Sequence, residues 1–309
     1  MKKYILIIIL FFLVTAISFA QDAAGDSTAV VKVKDKPVRS PFESGYLIDD
    51  QTTVIQNVHT LEAVIQHKFG TIQNGRTDLW GIFAPGASIR LGLDYVLAKN
   101  FQVGFGITNQ NMTTDINAKW TIMQQTRKNT FPLAVAIYGN MAIDGRNISA
   151  FESGNVQQAH NLPNVNLFGQ SDRLSYFSEL IIGRKFNDMF SLQAGVSFTH
   201  FNAIGLPFDH DKIGLHFNGR IKVTPQGSLI FNFDTPLRIK EISEQTTWTN
   251  PPKQNLSFGY EVSTSTHTFQ IFMSTSNTLM AQYRMMSNQN DLTKQQFQIG
   301  FNITRLWGF

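Results

Sequence analysis

The chain has 309 residues, a formal net charge of +4, 26 phenylalanines and no cysteine. The lack of cysteine excludes a disulfide framework, a thiolate metal site and a lipid-anchored N-terminal cysteine. A charge this close to zero gives no reason to expect nucleic acid as a partner.

The first twenty residues predict a cleaved signal peptide. Lys2 and Lys3 precede an apolar run over 4–17, and Ser18, Phe19 and Ala20 match a small-x-small cleavage site. The alternative, a membrane anchor, is disfavoured because a span needs roughly 20 apolar residues. After secretion, the mature chain can enter a membrane only as a β-barrel.

Residues 21–58 are expected to precede the barrel. The stretch 21–40 is polar and charged, which is typical of a flexible periplasmic lead. Residues 41–58 mix aromatic side chains with Glu43, Asp49 and Asp50. This part is expected to pack under the barrel, to enter the lumen as a plug, or to remain a disordered tail.

From residue 59 to 309, apolar and polar residues alternate with a period of two. This pattern predicts an all-β fold, a transmembrane antiparallel up-and-down β-barrel of about twelve strands, within a range of 10–14. The predicted strands lie at 61–69, 89–95, 101–107, 116–122, 133–137, 176–182, 190–198, 213–221, 229–233, 256–262, 269–273 and 297–309.

The connections alternate between short and long. Short links near residues 98–100, 187–189, 224–227 and 265–266 alternate with long ones at 70–88, 142–173, 236–254 and 275–296. Short periplasmic turns and long extracellular loops alternate in this way in outer-membrane barrels, with both termini periplasmic. The link near 109–111 is shorter than the others on its side.

The C-terminal segment predicts the closing strand. Phe301, Ile303, Trp307 and Phe309 share one face, and we expect them to form the signal that the barrel-assembly machinery reads. Trp120 and Trp307 suit an interfacial aromatic girdle. Trp80, Phe83 and Trp248 fall in predicted loops, where binding function is common.

Several stretches resemble a known family. They are PFESGYLIDDQTTV, TLEAVIQHKFGTIQNGRTDLWGIFAPGASIRLGLDYVL, KFNDMFSLQAGVSFTHFNA, STHTFQIFM and GFNITRLWGF, which together span 41–309. The chain resembles a Bacteroidota family of outer-membrane β-barrels that is catalogued only as a domain of unknown function. The resemblance implies the fold and an outer-membrane location in a Gram-negative bacterium. It implies no catalytic residue, ligand or cofactor.

The face predicted to line the lumen carries charges of both signs. Either these groups pair and fill the interior, or they line a narrow water-filled path, and filling is the default because an unpaired charge in a confined lumen is costly. The candidates are Glu62, Lys68, Arg90, Asp94, Lys119, Glu179, Lys185, Arg220, Lys222, Asp234 and Glu261.

Two alternatives involve chemistry. His200, His210 and His216 could meet near one rim with Asp209 and Asp211, but no ligand spacing supports a metal site. Ser178, His200 and Asn202 share the outward face, and Ser178 would lie diagonally across from His200, as in a lipid-acting barrel hydrolase. No surrounding motif supports that arrangement.

The expected function is that of a narrow small-solute channel or an accessory barrel of the cell envelope, without cofactor or enzymatic activity. The alternative is a plugged structural barrel whose extracellular loops bind a partner. The expected partners are outer-membrane lipid and the barrel-assembly machinery.

Overall fold

The computed structural model describes residues 35–152, 156–158, 168–205, 208–239 and 251–309. Twelve of its strands form one closed barrel. The predicted signal peptide at 1–20, most of the lead and Trp248 lie outside the described residues.

The barrel strands follow the predicted alternation and extend it by a few residues at most ends. They are β3 (Thr60–Thr71), β4 (Ser88–Ala98), β5 (Phe101–Thr108), β6 (Thr114–Met123), β7 (Ala134–Ile143), β9 (Leu174–Lys185), β10 (Phe190–Phe201), β12 (Asp211–Lys222), β13 (Gly227–Leu237), β14 (Asn255–Ser263), β15 (His267–Ser274) and β16 (Gln298–Gly308).

Each barrel strand pairs antiparallel with its neighbours, and β16 closes the ring against β3. In this closing pair Phe301 lies opposite His67, and the register shifts once between Gln298 and Gly300. The predicted twelve-strand, up-and-down antiparallel barrel is therefore confirmed.

The two faces of the wall differ in polarity because successive side chains point to opposite sides of a strand. Large apolar side chains on the outer face are exposed, among them Leu93, Phe105 and Ile271, which is 61% exposed. The inner face carries buried polar and charged groups. This distribution suits a wall with lipid outside and a polar interior.

The connections divide the barrel into two ends. The short-turn end carries the connections 99–100, 124–133, 186–189, 223–226 and 264–266, the C-terminus and residues 35–41. The long-loop end carries six connections, which we name L1 (72–87), L2 (109–113), L3 (144–173), L4 (202–210), L5 (238–254) and L6 (275–297).

Short elements occur within the loops and the N-terminal segment. L3 contains helix α1 (Ser149–Glu152) and strand β8 (Val156–Gln158), which pairs with β11 (Ala203–Gly205) of L4. L6 contains helix α2 (Ala281–Ser287). Within the described ranges, none of the helices has the length and apolar character needed to cross a membrane.

Residues 42–54, which we call the inserted segment, lie inside the barrel. Strands β1 (Tyr46–Leu47) and β2 (Asp50–Gln51) form a hairpin whose turn includes Ile48 at a φ of 55°. Apolar side chains of the segment pack against two wall residues in one buried cluster, formed by Phe42, Leu47, Ile48, Ile230 and Phe272. The fold thus brings an N-terminal hairpin and the barrel wall into one core.

Candidate functional site in the barrel lumen

The candidate lumen residues fall into two groups by position. Lys185 and Lys222 lie at the short-turn rim, where they border a cavity of about 300 Å³ together with Arg39, Glu43 and Asp188. The other nine are buried within the barrel, and they are Glu62, Lys68, Arg90, Asp94, Lys119, Glu179, Arg220, Asp234 and Glu261.

Charged wall residues pair with each other or with the inserted segment. The Arg90 guanidinium contacts the Asp115 carboxylate at 2.7 Å. Arg220 reaches Glu43 of the inserted segment at 2.7 Å. The Tyr46 hydroxyl donates to Asp94 at 2.8 Å. Such pairing is what buried charges require, because an unpaired ion in a dry interior is costly.

Wall amides bind the backbone of the inserted segment. Gln270 accepts a hydrogen bond from Ile48 N at 3.0 Å and donates to the Tyr46 carbonyl at 3.1 Å. Asn302 donates to the Ile48 carbonyl at 2.7 Å. The amide side chains therefore satisfy backbone groups of the hairpin that a neighbouring β-strand would otherwise satisfy.

A third wall amide, Gln193, binds the backbone of the inserted segment nearer its C-terminal end. Gln193 donates to the Gln51 carbonyl at 2.6 Å and accepts from Thr53 N at 3.3 Å. Lys119 donates to the Gln51 side chain at 3.0 Å and to the Gly45 carbonyl at 3.3 Å. The segment is therefore fixed by wall residues from several sides of the ring.

L6 folds into the lumen from the opposite end. Its residues Leu279, Met280, Met285 and Met286 are buried, and α2 packs against β9, β10, β12 and β13. Gln282 donates to the Asn140 side chain of the wall at 2.6 Å. The interior is thus occupied by two separate pieces of the chain.

The two pieces meet at Asp49 and Asp50. Arg284 of α2 forms an ion pair with Asp50, donates to the Asp49 carbonyl at 2.9 Å and lies 2.9 Å from Asp234 of the wall. Lys68 joins the Asp49 carboxylate at 2.7 Å and the carbonyls of L6 residues Ser276 and Thr278 at 2.9 and 3.1 Å. We call this group of residues the clasp.

Little space remains around the clasp. A cavity of about 30 Å³ lies between the inserted segment, the wall and α2. This volume holds about two water molecules, given the roughly 10–15 Å³ of probe-occupied volume that one water needs. The described part of the lumen is therefore closed at this level.

A family comparison identifies the barrel. Residues 42–307 match the model of a family described as a membrane-bound beta barrel domain, DUF5777. The chain belongs to this family. With its closed ring and apolar outer face, the protein is an outer-membrane β-barrel.

Solved structures with a similar barrel share little sequence with the chain. A KdgM porin in complex with disordered oligogalacturonate is 7% identical, with a TM-score of 0.44, and 81% of this chain and 99% of the porin are covered. An outer-membrane channel from Pseudomonas putida F1 is 10% identical, with a TM-score of 0.46 and coverage of 82% and 97%.

Omp33 of Acinetobacter baumannii is 8% identical, with a TM-score of 0.39 and coverage of 81% and 98%. No curated protein matches the chain.

The three histidines considered for a metal site do not converge. His216 points into the lumen, where it contacts Asp234 at 2.8 Å and Ser197 at 2.7 Å. His200 lies on the outward face of β10 and contacts Asp211 at 2.7 Å. His210 contacts the Phe201 carbonyl at 2.8 Å. The wall separates His216 from His200.

A different set of residues has the spacing of a metal site. Ligand atoms of Asp50, His216 and Asp234 lie within 4.8 Å of one another. Arg284 forms ion pairs with both carboxylates, and His216 contacts Asp234. Because Arg284 already pairs with both carboxylates, the arrangement is that of a buried ion-pair network.

The residues considered for hydrolysis are not joined into a catalytic unit. Ser178 faces outward on β9, opposite Phe198 and diagonal to His200, as the register predicts. The two ring nitrogens of His200 contact Asp211 at 2.7 Å and Asn202 at 3.1 Å. Among the described residues, no hydrogen bond links Ser178 to His200, so a base is not positioned for that hydroxyl.

Sequence reasoning missed the part played by L6. The stretch 279–286 was expected to be extracellular loop, although Leu279, Met280, Met285 and Met286 make it unusually apolar for a solvated connection. That apolar content was an available signal for burial. The sequence contains no pattern that predicts the ion pairs of Arg284, because its partners are remote in sequence.

Proposed function

We propose that the protein is a small-solute channel of the outer membrane that its own inserted segment and L6 hold closed. The short-turn end is periplasmic and the long-loop end is extracellular in this proposal. One observation carries it: the material that closes the lumen belongs to two non-wall segments, and the wall behind them is largely polar apart from two apolar clusters that these segments contact.

The number of strands supports a solute path through the barrel once the inserted segment and L6 have moved. A barrel of about eight strands has an interior that side chains alone can fill, and the diameter grows with strand number. The twelve-strand wall leaves room for a hairpin and a helix. Moving these out would expose a lumen lined by Glu62, Lys119, Arg220 and other groups of both signs, which favours small polar solutes without strong charge selection.

Conductance in planar bilayers tests the proposal. The full chain should show rare openings, and deletion of residues 21–58 should raise the conductance because the hairpin no longer fills the lumen. Deletion of 277–291 together with 21–58 should raise it further. Heat-modifiable mobility in gel electrophoresis would verify that each variant forms a barrel. A lumen that stays closed in the folded double deletion would contradict the proposal.

A plugged structural barrel is the second candidate. The apolar cluster formed by Phe42, Leu47, Ile48, Ile230 and Phe272 favours it, because wall residues that face a water-filled path have little reason to be apolar. In this case the full chain would stay closed at every voltage and would conduct only after deletion. The long loops would then carry the function by binding a partner.

The proposal also includes how the protein reaches its place. We propose secretion through the signal peptide at 1–20 in a bacterium of the Bacteroidota type and folding by the barrel-assembly machinery, guided by Phe301, Ile303, Trp307 and Phe309. The proposed function requires neither a cofactor nor a catalytic residue.

A further inference from the structure

Two neighbouring cavities lie at the short-turn rim of the barrel. One, of about 300 Å³, is at the mouth, and the other, of about 310 Å³, is beside it. Arg39, Lys185 and Asp188 border both cavities, so the two lie side by side. We call the pair the rim groove.

The rim groove is built partly by the residues that precede the inserted segment. Backbone hydrogen bonds of 2.9 Å join residues 36–38 to residues 125–127 of the connection between β6 and β7. Lys185 at the end of β9 donates to the Arg39 carbonyl at 2.9 Å. These contacts hold the backbone around the groove and leave the Arg39 guanidinium uncommitted.

The rim groove has an excess of positive charge. Arg220 is paired with Glu43 at 2.7 Å, and Lys185 is paired with Asp188 at 3.1 Å. Three other bordering cations have no acidic partner within 4.0 Å in the described part of the chain, and they are Arg39, Arg127 and Lys222. Arg39 and Arg127 are exposed and Lys222 is half-buried, so a ligand in the groove can reach them.

One side of the rim groove opens on the lipid-facing wall. Phe186 borders the groove, is 45% exposed and follows the exposed outward residue Ile182 on the same face of the chain. The Arg184 guanidinium lies over the Phe186 ring, 5.3 Å from its centroid, and the Phe190 ring packs beside it at 5.6 Å. A long cationic side chain among aromatic rings at the end of an apolar wall is typical of the membrane–water interface.

We propose that the rim groove binds the headgroup of an anionic phospholipid. The phosphate accepts hydrogen bonds from Arg39 and Arg127, because charged donors bind phosphate oxygens strongly. The acyl chains run from Phe186 along the apolar outer wall. A soluble anion would use the cations but would gain nothing from the opening toward lipid, so the geometry favours a lipid. Binding at the rim does not depend on whether the lumen conducts.

Native mass spectrometry of the refolded full-length protein in dodecyl maltoside tests the proposal. The probes are phosphatidylglycerol and phosphatidylcholine with the same dioleoyl chains, so that they differ in headgroup charge. Phosphatidylglycerol should form a one-to-one complex with at least about tenfold higher affinity, because each nearby cation favours an anionic lipid. Glycerol 3-phosphate, which has the phosphate but no acyl chain, should not displace it at equal concentration.

Two variants and a matched control locate the site. Arg39→Gln and Arg184→Gln should each weaken phosphatidylglycerol binding by about fivefold, and the double variant should weaken it by roughly 25-fold. Arg305→Gln is the control, since Arg305 also lies over an aromatic ring of the outer face, 4.9 Å from the centroid of Trp307, but does not border the groove. It should leave the affinity unchanged. Heat-modifiable mobility would show that the variants are folded.

Equal affinity for the two lipids would overturn the proposal. An equal loss in the Arg305→Gln protein would also overturn it, because the binding would then come from charge spread around the rim. Displacement by glycerol 3-phosphate at equal concentration would show a site for soluble phosphates instead of a lipid. None of these results would affect the conductance test of the channel proposal, because that test measures the lumen.

Discussion

Replacing Arg284 by Met should release L6 from the lumen. Arg284 is 1% exposed and contacts Asp50, Asp234 and the Asp49 carbonyl. Removing one partner of a buried ion pair typically costs about 3–5 kcal/mol, because the remaining charge stays buried without compensation. The Asp50 and Asp234 carboxylates can avoid this cost if α2 leaves and water enters.

The same figures give the size of the effect. Each 1.4 kcal/mol is a factor of ten in an equilibrium constant, so the ratio of undocked to docked L6 should rise by about two to nearly four orders of magnitude. Hydrogen exchange of residues 281–287, measured by mass spectrometry in detergent, reports this ratio directly. Channel conductance should rise with it.

A matched control and a double variant complete the experiment. Arg305→Met changes an arginine on the outer face that lies 4.9 Å from the Trp307 ring, and it should leave α2 exchange unchanged. The double variant that combines Asp50→Asn with Arg284→Met should lose less docking free energy of L6 than the two single variants lose together. The reason is that both charges of the pair are then absent. Unchanged exchange of α2 in the Arg284→Met protein would refute the role given to the clasp.

Three further predictions concern other parts of the molecule. Gln270→Leu leaves two backbone groups of the inserted segment without partners, so exchange at 46–51 should rise by about five- to 150-fold for a cost of about 1–3 kcal/mol. Gln102→Leu, at a buried glutamine whose Nε2 has no partner, should not raise it. Hydrogen bonds from Thr293 and Lys253 lower the pKa of Asp291. This carboxylate should therefore stabilise the L5–L6 contact above about pH 4 and lose that effect as the pH falls further. The ¹³C carboxyl shift of Asp291 should titrate with a midpoint below the usual aspartate value of about 3.9. Deletion of Phe309 should slow insertion by purified assembly machinery in liposomes, whereas Phe83→Ala in L1 should have no effect; equal rates for all three proteins would contradict the assembly signal.

The barrel could be predicted from sequence because each strand has one face toward lipid and one face toward a polar interior. Lipid outside and polar groups inside produce period-two alternation in every strand, so the number and approximate bounds of the strands follow from local patterns. The alternation also predicted which side chains face inward, and the structure buries nine of the eleven candidates within the barrel.

The contents of the lumen could not be predicted in the same way. Residues 41–58 were compatible with a plug or a tail, because the groups that hold the hairpin, such as Gln270 and Asn302, are far away in sequence. The same holds for Arg284, whose partners Asp50 and Asp234 come from the inserted segment and from β13. Contacts of this kind leave no periodic signal.

The way the inserted segment is held has a consequence for biogenesis. Its backbone binds Gln193 of β10, Gln270 of β15 and Asn302 of β16, and the last strand exists next to β3 only after ring closure. The receptor for the hairpin thus combines strands from separate parts of the ring. We therefore expect the hairpin to dock only after these strands have come together.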